Sequence, residues 1–314
     1  MCTLIVLHRC VPERPLVVAA NRDEFLDRPA EPPAIRASSR GPIVAPLDLE
    51  AGGTWVGLSR RGVFAGLTNL RPETAGSDAS PNDRATLERA LAERARVAST
   101  APEGGAAAAL RSRGEVVMRA LEAESAAHAV ETLSGLPSNA YNPFQLLVAD
   151  GHEAWLVVYR GSVGMAALEP GPHVVGNVVA PEIEAAIGAA PRRVEAEEAP
   201  RLRKLTRIRK RVEKMMTESG RDPFEDLARI CREHVDPGRE GDHEAPSLFE
   251  STCVHVADRY GTRSSLLLEL ARDPESSRLW TTDGPPCERP FENRSSLLRE
   301  LDMSLRDRMQ TQTR

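Results

Sequence analysis

Apolar residues along the chain fall into short runs separated by turn residues, in two blocks, with helical periodicity between and after them. Thr3-Leu-Ile-Val-Leu7 and Leu16-Val-Val-Ala-Ala20 flank the turn Val11-Pro-Glu-Arg-Pro15 and predict a hairpin. A polar, proline-containing stretch follows from Asp27 to Arg40, then a short strand at Pro42–Ala45. Gly52–Ser59 and Gly62–Asn69 predict a second hairpin, with Gly62 supplying the left-handed position of its turn. The period then lengthens: 82–98 carries Leu87 and Leu91 at helical spacing, and 111–120 and 126–133 read as helices. The stretch 104–109 reads equally as helix or flexible insert. Strands return at Phe144–Ala149, Ala154–Tyr159 and His173–Gly176, the first two joined by a turn at Asp150–Glu153.

Residues 181–234 read as helical and strongly charged. Within them, Arg201–Arg211 keeps Leu202, Leu205, Ile208 and Val212 on one face. This block reads either as a solvated amphipathic helix or as a contact for a phosphate- or carboxylate-bearing ligand. A Pro/Gly/acidic loop occupies 237–246. Strands follow at Thr252–Val256 and Ser264–Leu270, around a turn at Arg259–Thr262, with Trp280 near a last strand. The expected organisation is a single domain over 1–292 and a polar helical tail over 293–314. Two β-rich blocks enclosing helices predict two packed sheets with helices outside.

The 314 residues include 41% hydrophobic and 28% charged positions, as expected of a soluble globular chain. A net charge of −5 gives no basic field for nucleic acid. No secretory pattern and no apolar run of roughly 18 residues appears, so no membrane span is expected and a cytoplasmic location is. The five cysteines (Cys2, Cys10, Cys231, Cys253 and Cys287) are scattered and form no C-x-x-C pair. On spacing alone, neither a zinc site nor a disulfide framework is expected, and His234 and His243 lack a ligand-spaced partner.

The chain also lacks the glycine loops of nucleotide sites, H-E-x-x-H and the G-x-S-x-G elbow. The chemistry left open begins at Cys2. If Met1 is removed, Cys2 carries a thiol and an α-amine on one carbon, a nucleophile and its base together. The amine has an ordinary pKa of roughly 7.7–8.0, so part of it is neutral near pH 7 and accepts a thiol proton. Asp23 ends the partner strand of the first hairpin and is placed to hold that amine. Asn69 and Asn177 each close an apolar run, where side-chain amides serve as oxyanion donors or merely as strand caps. Arg263 follows a predicted turn, where it either reaches a substrate carboxylate or thioester or pins the turn.

Together, Met1-Cys2, Ala20-Asn-Arg-Asp-Glu24, Gly52-Gly-Thr-Trp55, Gly66-Leu-Thr-Asn69, Tyr141-Asn-Pro-Phe144 and Tyr260-Gly-Thr-Arg-Ser-Ser265 resemble the NRDE family, the transport and Golgi organisation protein two family. The resemblance implies an α+β fold of the N-terminal-nucleophile hydrolase type, a four-layer αββα sandwich of two mainly antiparallel sheets. It also implies kinship with choloylglycine and penicillin V acylases. Carried over by position, Cys2 matches the nucleophile and Asp23 the carboxylate that holds the amine. Asn69 and Asn177 match substrate- and oxyanion-binding asparagines, and Asn21, Arg22, Trp55 and Arg263 are read as substrate contacts. Those acylases place an arginine three residues before the aspartate, where this chain has Ala20. The implied activity is hydrolysis of a non-peptide amide or thioester of a small acyl substrate, with no required cofactor and no metal. The alternative is a carrier that binds haem, acyl-CoA or lipid on the same fold. The absence of C-x-x-C-H argues against covalent haem attachment.

Overall fold

Continuous apolar runs such as Thr3–Leu7 need cover on both faces, and the chain provides it by stacking two sheets between two layers of helices. The structure is a computed structural model that describes residues 2–70, 110–189, 198–218, 221–236 and 246–301. The expected helix over 82–98, the insert at 104–109, most of the loop at 237–246 and the tail past residue 301 lie outside the described residues.

The first sheet contains β1 (Cys2–Val11), β2 (Arg14–Phe25), β10 (Gly171–Val175), β11 (His255–Val256), β12 (Tyr260–Leu270), β13 (Arg278–Asp283) and β14 (Glu292–Asn293). Its order is β10-β1-β2-β12-β13-β14, with β11 paired to β12. The second sheet runs in sequence order through β3 (Ala30–Arg36), β4 (Ile43–Asp48), β5 (Val56–Ser59), β6 (Phe64–Asn69), β7 (Phe144–Ala149), β8 (Ala154–Tyr159) and β9 (Val163–Leu168). All pairings between these strands are antiparallel.

Period-two alternation sorts each strand between two cores. Leu4, Val6, Val18 and Ala20 meet Val44, Leu58, Phe64 and Leu147 between the sheets. Ile5, Leu7, Val17 and Ala19 face α4 (Ala199–Thr217) and α5 (Pro223–Cys231) through Leu205, Ile208, Val212, Phe224 and Leu227. On the far side, Ala65, Leu67, Leu146 and Val148 pack against α1 (Arg113–Leu121) and α2 (Ala126–Ser134). The expected αββα sandwich is thus the fold. Each fully buried Leu, Ile or Val contributes about 1.5–3 kcal/mol to it.

Several elements depart from the sequence expectation. β3 lies within the stretch expected to be irregular; it is an edge strand, where Pro32 and Pro33 lack N–H groups but sit at a break in the β3–β4 register. β9 is the opposite edge and carries small, half-buried residues that give no strong apolar signal. The turn expected at Arg259–Thr262 falls earlier, at Ala257 and Asp258, both with positive φ (51° and 49°), so that Tyr260 already belongs to β12. The charged helical stretch is divided into α3 (Pro181–Ala186), α4 and α5. The tail expected to be separate begins inside the fold: α6 (Ser296–Glu300) seats Leu298 in the core between the sheets, and the next residue, Leu301, joins it there.

Candidate active site

In the β1–β2 register Cys2 lies opposite Arg22, Leu4 opposite Ala20 and Val6 opposite Val18. Cys2 therefore shares the inter-sheet face with Leu4 and Val6, at the end of β1. Its backbone nitrogen donates to Asn177 Oδ1 at 2.9 Å. Asn177 Nδ2 donates in turn to the Asn69 backbone carbonyl at 2.7 Å. Neighbouring bonds fix this bridge between the sheets: the Gly176 carbonyl accepts from Thr68 Oγ1 at 2.6 Å and from Gln145 Nε2 at 2.8 Å. A Cβ at residue 176 would meet Leu205 Cδ2 of α4 at 2.7 Å, so a side chain here would require Leu205 to shift.

Asp23 is one residue beyond Arg22 and lies beside the N-terminal end of β1. Its side chain is fully buried. Thr262 Oγ1 donates to Asp23 Oδ1 at 2.6 Å, Lys204 Nζ lies 3.4 Å from Oδ2, and the Tyr260 hydroxyl donates to the Asp23 carbonyl at 3.0 Å. A buried carboxylate requires such partners. Burial, and then the Asp23 charge, push the Tyr260 phenol well above its ordinary range, which keeps it a donor. Burial also raises the Cys2 thiol; the positive N-terminus and Arg22 oppose this, and Asp23 adds to it.

Arg22 is buried on the same face as Cys2. Nη2 binds Asp48 Oδ2 at 2.6 Å, and the guanidinium lies 4.1 Å from the centroid of the Trp55 ring. Nη1 is buried with no hydrogen-bond partner among the described residues. Asp48 also takes Arg28 Nε at 2.7 Å; burial favours its neutral form, but these hydrogen bonds hold it below the ordinary carboxylate value. Arg113, at the start of α1, is a further cation near the thiol: burial lowers its pKa, while Cys2 and Glu24 act against that.

Other expected contacts are placed differently. Asn21 faces the α5 side, where Nδ2 donates to the Cys231 and Thr252 carbonyls at 3.0 and 2.9 Å and Oδ1 accepts from Ser265 Oγ at 2.7 Å. Its polar atoms are spent on holding the fold, not turned toward Cys2. Along β6, Thr68 and Gly66 share the inter-sheet side, so alternation turns the Asn69 side chain away from it; Asn69 joins the site through its backbone carbonyl. Asn177 presents its oxygen to Cys2, and its amide nitrogen is bonded to Asn69. Trp55 and Arg263 line one shallow groove that also takes in Ala20, Pro33 and Leu266. There Arg263 pairs with Asp283, and its carbonyl accepts from the Gly284 N–H at 3.0 Å. The groove adjoins the Cys2 face through Trp55 and Ala20; Cys2 is not among its lining residues.

The residues missed from sequence are Lys204, Thr262 and Arg113. Lys204 lies four positions before Ile208 and eight before Val212, on the buried stripe of α4, and that spacing was the available signal. Four arginines of the basic block are engaged within the chain: Arg203 with Glu250 at 2.6 Å, Arg207 with Glu233 at 3.2 Å, Arg209 with Glu182 and Arg211 with Glu233. This favours the structural reading of that helix over an anion contact.

The Transport and Golgi organisation 2 family model matches residues 1–278. The chain belongs to this family. It is 26% identical over 271 residues to a Bos taurus Transport and Golgi organization protein 2 homolog, covering 82% of this chain and 83% of that protein. A Mus musculus homolog is 25% identical over 263 residues, covering 81% of each. Among solved structures, the C2A mutant of the conjugated bile acid hydrolase from Clostridium perfringens superposes with a TM-score of 0.51 over 96% of this chain and 94% of that one, at 9% identity. At that identity the likeness is one of fold: two antiparallel sheets between helical layers, the N-terminal-nucleophile hydrolase arrangement.

Proposed function

We propose that this chain is a cysteine N-terminal-nucleophile hydrolase that cleaves a non-peptide amide or a thioester of a small acyl substrate. The observation that carries this reading is the bond from the Cys2 backbone nitrogen to Asn177 Oδ1, at the N-terminal end of β1 and beside buried Asp23. Once Met1 is removed, that nitrogen becomes the α-amine, so the same acceptor holds the proposed base at the end of β1. The fold is shared with a conjugated bile acid hydrolase, which agrees with a hydrolytic reading.

In this mechanism Met1 is removed and the α-amine of Cys2 remains held by Asn177, with the Asp23 carboxylate beside it. The neutral amine takes the thiol proton, and the thiolate attacks the substrate carbonyl. The tetrahedral intermediate collapses as the ammonium returns its proton to the departing amine or thiol. Water, deprotonated by the same amine, then cleaves the acyl-thioester and restores the thiol. Arg22 lies opposite Cys2 with Nη1 buried and unpartnered among the described residues, which suits it to the developing oxyanion. It supplies from one residue before Asp23 the positive charge that the related acylases place three residues before it.

The test compares wild type with Cys2→Ala on a panel of acyl amides and acyl thioesters. Turnover by wild type that Cys2→Ala lacks, with substrate binding retained, supports the assignment. Equal behaviour of the two proteins, or binding of haem or acyl-CoA with no turnover of any panel member, contradicts it and places the chain among carriers.

A further inference from the structure

Spacing along the sequence gives no reason to expect a zinc site, yet the fold gathers four ligand-type side chains from three segments. His234 lies just past α5, Cys253 and His255 flank Val254 at the start of β11, and Cys287 lies in the turn after β13. One ligand atom from each falls within 4.8 Å of all the others. Cys253 Sγ is 3.5 Å from Cys287 Sγ and 3.6 Å from His255 Nε2, and His255 Nε2 is 3.2 Å from Cys287 Sγ.

We propose that His234, Cys253, His255 and Cys287 bind one zinc-class divalent ion as a structural Cys2His2 centre. A tetrahedral zinc with bonds of about 2.3 Å to sulfur and about 2.0 Å to nitrogen sets sulfur–sulfur and sulfur–nitrogen edges of roughly 3.8 and 3.5 Å. The three Cys253–His255–Cys287 distances already lie near these values. The His234 ring nitrogen, within 4.8 Å of the other three ligand atoms, supplies the fourth corner on a small inward movement. Outer contacts orient the two imidazoles as metal sites require. Glu288 Oε1 lies 3.8 Å from His255 Nδ1, which leaves Nε2 toward the sulfurs, and the His234 ring hydrogen-bonds the Cys253 backbone.

On binding, both thiols lose their protons to solvent and two metal–sulfur bonds form. Two thiolates and two neutral imidazoles then leave the centre uncharged around a dication. Without the ion, burial and the adjacent Cys287 hold the Cys253 thiol far above its ordinary range. The ion ties α5, β11 and the β13–β14 connection together, and that unit supports Asp23. Val254 N donates to Thr262 Oγ1 at 2.9 Å, and Thr262 Oγ1 donates to Asp23 Oδ1 at 2.6 Å. Cys287 lies past residue 278, where the family match ends.

The test measures metal in the full-length protein purified under reducing conditions, then titrates chelator-stripped protein with zinc and with cobalt. The expected result is about one zinc per chain and a thiolate-to-cobalt charge-transfer band in the near ultraviolet. Both are lost in Cys287→Ser and in His255→Ala while the far-ultraviolet circular dichroism stays that of wild type. Folded wild type that takes up neither ion overturns the proposal. So does uptake that both variants retain, or a Cys253–Cys287 disulfide in the reduced preparation. Cys287 and His255 are exposed and half-buried, so loss of fold does not mask the outcome. None of these readouts depends on turnover, so the centre stands or falls separately from the proposed hydrolase.

Discussion

At the scale of single residues, the site depends on where one nitrogen is held. Asn177 accepts from Cys2 through Oδ1 and donates to Asn69 through Nδ2, so it sets the position of the proposed base relative to the substrate. Misplacing a reacting group by about 1 Å costs on the order of 100-fold in rate. Asn177→Ala is therefore expected to lower kcat on that scale with KM little changed; steady-state kinetics on the best panel substrate checks this, and unchanged kcat contradicts it. The same residues show what a sequence can reveal. Cys2 and Asp23 were legible because chain position and hairpin pairing fix where they lie. Asn21 was not, because one strand carries Asn21 and Arg22 to opposite faces, and only the packing of α5 shows which face is occupied. Asn69 enters through its carbonyl, which no residue identity records.

At the scale of elements, α4 does more than cover a sheet. Its periodicity was legible, and Leu205, Ile208 and Val212 are buried as that periodicity requires. The same stripe also buries Lys204 against Asp23, with side-chain exposures of 7% and 0%. Removing one partner of a buried pair leaves an uncompensated charge, at a cost of about 3–5 kcal/mol. Lys204→Met is expected to lose stability in that range by denaturant unfolding and to lose activity with it. A loss under ~1 kcal/mol would mean that the Asp23 charge is held by its other partners. Edge strands resisted sequence reading for the opposite reason. β3 and β9 bury little, so their patterns are set by the requirements of an exposed edge more than by core packing. The β11–β12 hairpin is tightly confined, since a Cβ at Gly261 would meet the Val254 carbonyl oxygen at 2.4 Å. That close approach keeps Thr262 in register with Asp23.

At the scale of the whole molecule, the two-sheet sandwich was legible from the apolar runs, while the convergence of His234, Cys253, His255 and Cys287 was not. Cys-x-His in an extended segment places both side chains on one side, but the other two ligands come from distant turns, and only the complete fold brings them near. The core also makes stability depend on pH. His8, 1% exposed at the end of the inter-sheet face of β1, has its pKa lowered to about 4 by burial, with Arg9 and His173 acting in the same direction. Its unfolded value is near 6.5, so between pH 6.5 and 4 the unfolded chain binds the proton and the folded one does not. Stability is therefore full above pH 6.5 and falls as pH drops toward 4, by on the order of 3 kcal/mol. Thermal unfolding should show a steeper loss for wild type than for His8→Leu across that window; parallel curves would contradict it. The hydrolase proposal itself rests on a free amine and a thiol on the same residue. Intact-mass and peptide mass spectrometry of the protein after reaction with an activated acyl thioester tests this most directly. The predicted result is a chain lacking Met1 that carries one acyl group on the peptide beginning at Cys2. Retention of Met1, or acylation at another residue, would contradict it.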